Sequence, residues 1–98
     1  MTGSNDKAGA KAAPLKKVER IQTGVRMEKS LVKVLKGFAE YADLSLGDLL
    51  EGIVLHAFEG KSPFVRAELR EVIEKLKDVY DCELQAADSH RLTEIDQV

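Results

Sequence analysis

The 98-residue chain has a single cysteine, Cys82, only two prolines and no tryptophan. One cysteine excludes an internal disulfide framework and fits a reducing compartment. No stretch approaches the ~18 apolar residues of a membrane span, and the polar N-terminus has no apolar signal region, so a soluble cytoplasmic protein is expected. Sets of residues able to do chemistry are missing as well. The two histidines, His56 and His90, stand far apart, no cysteine pairs with a histidine, and no glycine-rich phosphate loop occurs. A lone histidine beside an apolar helix face, as His56 is, is more often packed or hydrogen-bonded than a ligand. No enzyme, no metal and no cofactor is expected.

A second β-strand is also absent, and that absence is informative because one strand is present. From Arg20 to Met27 the residues alternate, with Ile21, Thr23, Val25 and Met27 on one face and Arg20, Gln22, Gly24 and Arg26 on the other. This is the two-residue period of a half-buried strand. A lone strand leaves backbone donors and acceptors unpaired on both edges, and the rest of the chain reads as helix or tail. The natural partner is the same strand from a second copy. Two such strands about a two-fold axis form an antiparallel ribbon that rests its apolar face on helices and displays Gln22 and Arg26 twice. A ribbon of that kind fits the major groove of DNA.

Two amphipathic helices follow. The first is expected from about Glu28 to Ala42, with Leu31, Val34, Leu35, Phe38 and Ala39 as its core stripe and Glu28 at the positive end of its dipole. Gly37 interrupts it at a cost of about 0.5–1 kcal/mol, which marks a close approach, and a tight helix crossing in a dimer would account for it. The second begins with the capping pattern Ser45-Leu46-Gly47-Asp48, carries the broad apolar face Leu49, Leu50, Ile53, Val54, Ala57 and Phe58, and ends at Gly60. A core segment of roughly 40 residues is at the size where oligomerisation is usually needed. The expected dimer core is Val25, Met27, Leu35, Phe38, Leu49, Ile53 and Val54.

A third helix is expected to open at Ser62-Pro63 and run to about Leu84. Val65, Leu69, Val72, Leu76 and Val79 follow the a/d rhythm of a coiled coil over two heptads, widened by Ile73 and Tyr80. That stripe can be covered by helices of its own dimer, by the same helix in another subunit to give a higher oligomer, or by a separate protein. The chain therefore divides into a disordered basic arm over 1–17, a core over 18–60 and an acidic helix and tail over 61–98, polar and frayed from Ala86 onward.

Charge follows the same division. The totals, 15 basic and 17 acidic residues, nearly cancel, yet residues 1–36 hold nine basic and three acidic groups, a balance of +6, and residues 37–98 hold six and fourteen, a balance of −8. The basic end runs straight into the polar face of the strand, which favours DNA over a merely solubilising extension.

The run RIQTGVRMEKSLVKVLKGFAEYADLSLGDLLEGIVLHAF, Arg20 to Phe58 and 39 of the 98 residues, resembles the ribbon-helix-helix DNA-binding proteins, the superfamily of the Arc and MetJ repressors. The likeness lies in the strand, the four-turn helix, the short loop, Leu44-Ser45 opening a second helix and the second apolar stripe. It implies a mainly α fold in which one N-terminal strand pairs antiparallel in an intertwined homodimer, bound to double-stranded DNA as a sequence-selective transcriptional repressor. Outward strand residues would read bases: Arg26 through two bonds to guanine O6 and N7, Gln22 through adenine N6 and N7, each supplying about 1–3 kcal/mol of discrimination. Gly24 falls where the family has its middle reader and offers only backbone there. Phosphate would be held at the start of the second helix by the amides of Leu46 and Gly47 and the Ser45 hydroxyl, with Lys16, Lys17, Arg20 and Lys29 as further partners. Bacterial antitoxins of this family join the ribbon to a partner-binding tail. The alternative reading is accordingly an antitoxin-like or adaptor protein whose segment 61–98 binds another protein.

Overall fold

A computed structural model of the chain describes residues 15–95 and is mainly helical: α1 Lys29–Ala42, α2 Leu46–Phe58 and α3 Ala67–Val79, with a short 3-10 turn at Ala86–Asp88. The disordered arm expected over 1–17 lies almost wholly outside the described residues. Among the described residues of this single chain no strand is formed. Arg20–Met27 has no assigned secondary structure and no neighbouring backbone with which to build a ladder.

Local chemistry sets the starts of α1 and α2. The Glu28 carboxylate accepts from the Leu31 amide at 2.9 Å and from the Ser30 hydroxyl at 2.6 Å, so the residue caps α1 from just outside it. Ser45 does the same for α2, its Oγ accepting from the Asp48 amide at 3.1 Å. All three helices end alike, in a left-handed residue followed by a backbone bond back to the last turn. These residues are Asp43 (φ 63°), Gly60 (φ 71°) and Asp81 (φ 54°), and the closing bonds run from Leu44 to Ala39, from Lys61 to His56 and from Cys82 to Lys77 at 2.8–2.9 Å.

The core is thin. Phe38 and Ala39 of α1 and Leu49 of α2 form its buried centre, with Leu35, Ala42, Ile53, Phe64, Leu69, Val72, Ile73 and Leu76 packed around it. Val34 and Cys82 are the other buried apolar residues, and no described side chain is completely buried. The middle of the α3 stripe, Leu69, Val72, Ile73 and Leu76, is thus seated on its own chain, whereas Val65 and Val79 at its two ends stay exposed. Phe64 meets Phe38 edge to face with ring centroids 5.2 Å apart, and the Lys33 ammonium lies 5.9 Å from the Tyr80 ring centre.

Two expectations about α3 are corrected by tertiary contacts. It spans Ala67–Val79 and not Ser62 to Leu84. At its start the Ser62 hydroxyl accepts from Phe64 N at 3.3 Å and so closes a turn; Phe64 leaves the helical path to reach Phe38, and Arg70 Nη1 donates to the carbonyls of Phe64 (3.2 Å) and Val65 (2.7 Å). At its end the burial of Cys82 turns the chain inward through left-handed Asp81. Gly37 does mark a close approach, but the approaching element is α3 of the same chain. A Cβ on Gly37 would stand 3.0 Å from Leu76 Cδ2 and 3.6 Å from Tyr80 Cε2.

The tail after α3 does not fray at Ala86. Lys77 Nζ donates to the Leu84 carbonyl at 2.9 Å, and Gln85 and Asp88 cap each other across the 3-10 turn. A second left-handed residue, His90 (φ 65°), follows immediately. No helix among the described residues is long and apolar enough to cross a membrane.

Candidate nucleic-acid interface

The segment from Leu15 to Glu28 is exposed at every position, apolar and polar faces alike. Ile21 is 81 % exposed and Val25 76 %, values that a strand face packed on helices would not keep. Their alternation with Arg20, Gln22, Gly24 and Arg26 persists in the sequence, but nothing in the single chain covers either face. Gly24 has no positive φ, and a Cβ placed on it would meet nothing within 4 Å. Its conformation therefore does not require glycine, which leaves a bare stretch of backbone between Gln22 and Arg26.

Arg20 fixes where this arm lies. Its Nε and Nη2 donate to the two carboxylate oxygens of Glu51, each at 2.8 Å, and Nη2 is 3.6 Å from Asp48 Oδ1. The planar guanidinium matches a carboxylate edge to edge, so this is a two-pronged contact to the first half of α2. The bond to Glu51, reinforced by the Glu51 and Asp48 charges, pushes the Arg20 pKa up, and the same bond holds the Glu51 carboxyl below its ordinary range. The arm is thereby placed beside the N-terminus of α2, where the amides of Leu46 and Gly47 precede the first intrahelical bond, Leu49 N to Ser45 O at 3.0 Å. Of the expected phosphate groups, Arg20 and the Ser45–Gly47 turn are thus brought together. The Ser45 hydroxyl is already occupied with Asp48 N. Lys16, Lys17 and Lys29 are exposed on and beside the arm.

Arg26, the first candidate base reader, forms an ion pair with Glu94 of the C-terminal tail. Gln22 is exposed. Of the residues expected at the dimer core, Phe38 and Leu49 are buried within the chain and Leu35 and Ile53 are packed against them, whereas Val25, Met27 and Val54 are exposed. Beside Val54, Leu55 and Phe58 also face outward on α2, Phe58 with 82 % of its surface exposed.

Sequence reasoning missed Asp48, Glu51 and Glu94 as the acids that hold the two arginines. Their separations, 31 residues for Arg20–Glu51 and 68 for Arg26–Glu94, put them beyond any local pattern. It also passed over Leu55, which interrupts the spacing of the α2 stripe. His56 Nδ1 is bonded to the Gly52 carbonyl at 2.7 Å. Among the described residues no group of three or more His, Cys, Asp or Glu side chains is placed to hold a metal. Compared with protein-family models, with curated proteins and with solved structures, the chain matches none.

Proposed function

We propose that the protein is a sequence-selective DNA-binding regulator, a repressor, that works as a homodimer through a two-stranded ribbon made from the Arg20–Met27 segments of two copies. The observation that carries this reading is the arm itself: fully exposed, alternating with period two, without a backbone partner in its own chain, and tied by Arg20 to the start of α2. A second copy supplies the missing ladder and covers Ile21, Val25 and Met27 together with Val54, Leu55 and Phe58, all now exposed. The charges favour one register. Pairing about Gly24 sets Arg20 opposite Glu28 of the partner subunit, whereas pairing about Thr23 sets it opposite the partner subunit's Arg26 and costs like-charge repulsion.

In that register Gln22 of each copy faces Arg26 of the other, and both present donors to base edges in the major groove on either side of a central gap at Gly24. Phosphates on each flank meet the free amides of Leu46 and Gly47 at the positive end of α2, with Lys16, Lys17 and Lys29 nearby. Arg20 offsets one of the two negative charges of Asp48 and Glu51, which lessens their repulsion of a phosphate there. The alternative, a protein-binding role for segment 61–98, draws less support because Leu69, Val72, Ile73 and Leu76 are spent on the chain's own core.

The test is a fluorescence-anisotropy titration of the full chain against its own promoter fragment and a random duplex at two salt concentrations, with oligomer mass measured alongside. A dimer that prefers the promoter and weakens with salt is expected. Replacing both Gln22 and Arg26 with Ala should erase the preference, at about 1–3 kcal/mol per lost contact, while leaving a folded dimer. Undiminished selectivity in the double variant would sink the groove assignment.

A further inference from the structure

We propose that the C-terminal tail from Gln85 to Ile95 is an autoinhibitory strap that holds Arg26 away from DNA through Glu94. The inference rests on the DNA-binding reading above and adds a means of restraining it. Four separate contacts steer the tail to that place. Cys82 is buried at the exit of α3, and Lys77 Nζ grips the Leu84 carbonyl at 2.9 Å. The Gln85 amide donates to Asp88 Oδ2 at 2.8 Å, locking the 3-10 turn, and Arg91 N donates to Asp88 O at 3.0 Å past left-handed His90. Beyond the turn Leu92 comes back beside Leu84, which precedes it, and the two line a cleft with Leu31, in the first turn of α1. The chain has by then returned to the foot of the arm, where Glu94 meets Arg26.

A guanidinium engaged by a carboxylate cannot offer the same pair of donors to a guanine edge, so strap and groove compete for one fork. The contact is also suited to release. Arg26 is 84 % and Glu94 72 % exposed, and ion pairs in such settings are weak and screened by salt. The strap therefore sets affinity and does not abolish it: its loss should tighten DNA binding by up to about fivefold per arm, and by about two- to twentyfold in a dimer that frees two arms. Arg20, paired with Glu51 and Asp48, needs no such restraint, because its partners belong to the element that carries the phosphate site.

The experiment compares the full-length parent with Glu94→Gln and, as a charge-matched control on the same tail, Glu83→Gln, each titrated by anisotropy against the promoter duplex at low salt. Glu83 is exposed and lies before the turn. The expected result is two- to twentyfold tighter binding by Glu94→Gln alone. Equal gains in both variants would reduce the effect to net charge and overturn the strap. A parent that binds while Glu94→Gln merely equals it would overturn the strap and leave the groove reading intact. Failure of every protein to bind at low salt would bring down the DNA-binding reading, and the strap with it.

Discussion

Substituting alanine for Gly37 and, separately, for Gly52 tests whether α3 belongs to the core of its own chain. Both glycines lie inside helices, where alanine gains about 0.5–1 kcal/mol by restricting the unfolded chain and favouring helix. At Gly52 the added methyl meets nothing within 4 Å, so the full gain should appear. At Gly37 it stands 3.0 Å from Leu76 Cδ2 and 3.6 Å from both Leu76 Cδ1 and Tyr80 Cε2, inside the ~3.5–4.0 Å at which carbons rest comfortably. Leu76 must retreat by about half an ångström. Overpacking costs about 1–3 kcal/mol, and because Leu76 is only half-buried and the clash is with its flexible end, the lower part of that range applies. Gly37→Ala should therefore be neutral to about 1 kcal/mol destabilising, and less stable than Gly52→Ala by about 1–2 kcal/mol. Urea denaturation followed by far-ultraviolet circular dichroism, at one protein concentration, measures the difference. Equal stabilisation by the two substitutions would mean that α3 does not rest on Gly37, and its apolar stripe would then be free for another protein.

Helix exits and acid titration give two further outcomes. Asp43→Gly and Asp81→Gly relieve left-handed backbones at φ 63° and 54° and should each raise stability by roughly 0.5–1 kcal/mol in the same assay; a loss would show that the aspartate side chains themselves hold the turns. The Glu28 carboxyl is held below its ordinary 4.5 by the Ser30 hydroxyl and then by the Leu31 amide, and Glu51 is held low by Arg20. Groups depressed in the folded state contribute stability above their unfolded pKa and lose it as pH falls through the folded value, so stability should hold from neutral pH and drop in the acid range below about 4.5. Glu28→Gln should flatten that acid limb, and an unchanged denaturation midpoint–pH profile would remove the cap from the account.

How much of this was legible in the sequence depended on how far apart the interacting residues lie. The cap at Ser45, the acid Glu28 at the start of α1, the stop at Gly60 and the stripes of α1 and α2 are short-range signals, and the two helices fall within a residue or two of where those signals put them, although Glu28 proves to cap α1 from outside it. The ends of α3 were misplaced because they answer to Phe38, to Arg70 reaching backwards and to the burial of Cys82, none of which a capping pattern records. Gly37 announced that something comes close without saying that it is Leu76. At the candidate interface the period of two along the arm is a pattern of the sequence that the single chain does not turn into a strand. The acids that hold Arg20 and Arg26 could not be read from the sequence, since an ion pair between exposed side chains leaves no trace in hydropathy or spacing.

The shared form of the three helix exits also bears on the order in which the molecule is made. Each exit is closed by backbone groups within six residues of one another, so each helix can be ended as soon as it has been synthesised, without waiting for anything downstream. Docking of α3 comes later, because Leu76 and Phe64 land on Gly37 and Phe38 of α1 across the whole of α2, and such non-local contacts slow folding. The arm runs against this order. It is made before the three helices, yet Arg20 must wait for Glu51 in α2 and Arg26 for Glu94 beyond α3. A segment made before the helices finds its place only after them.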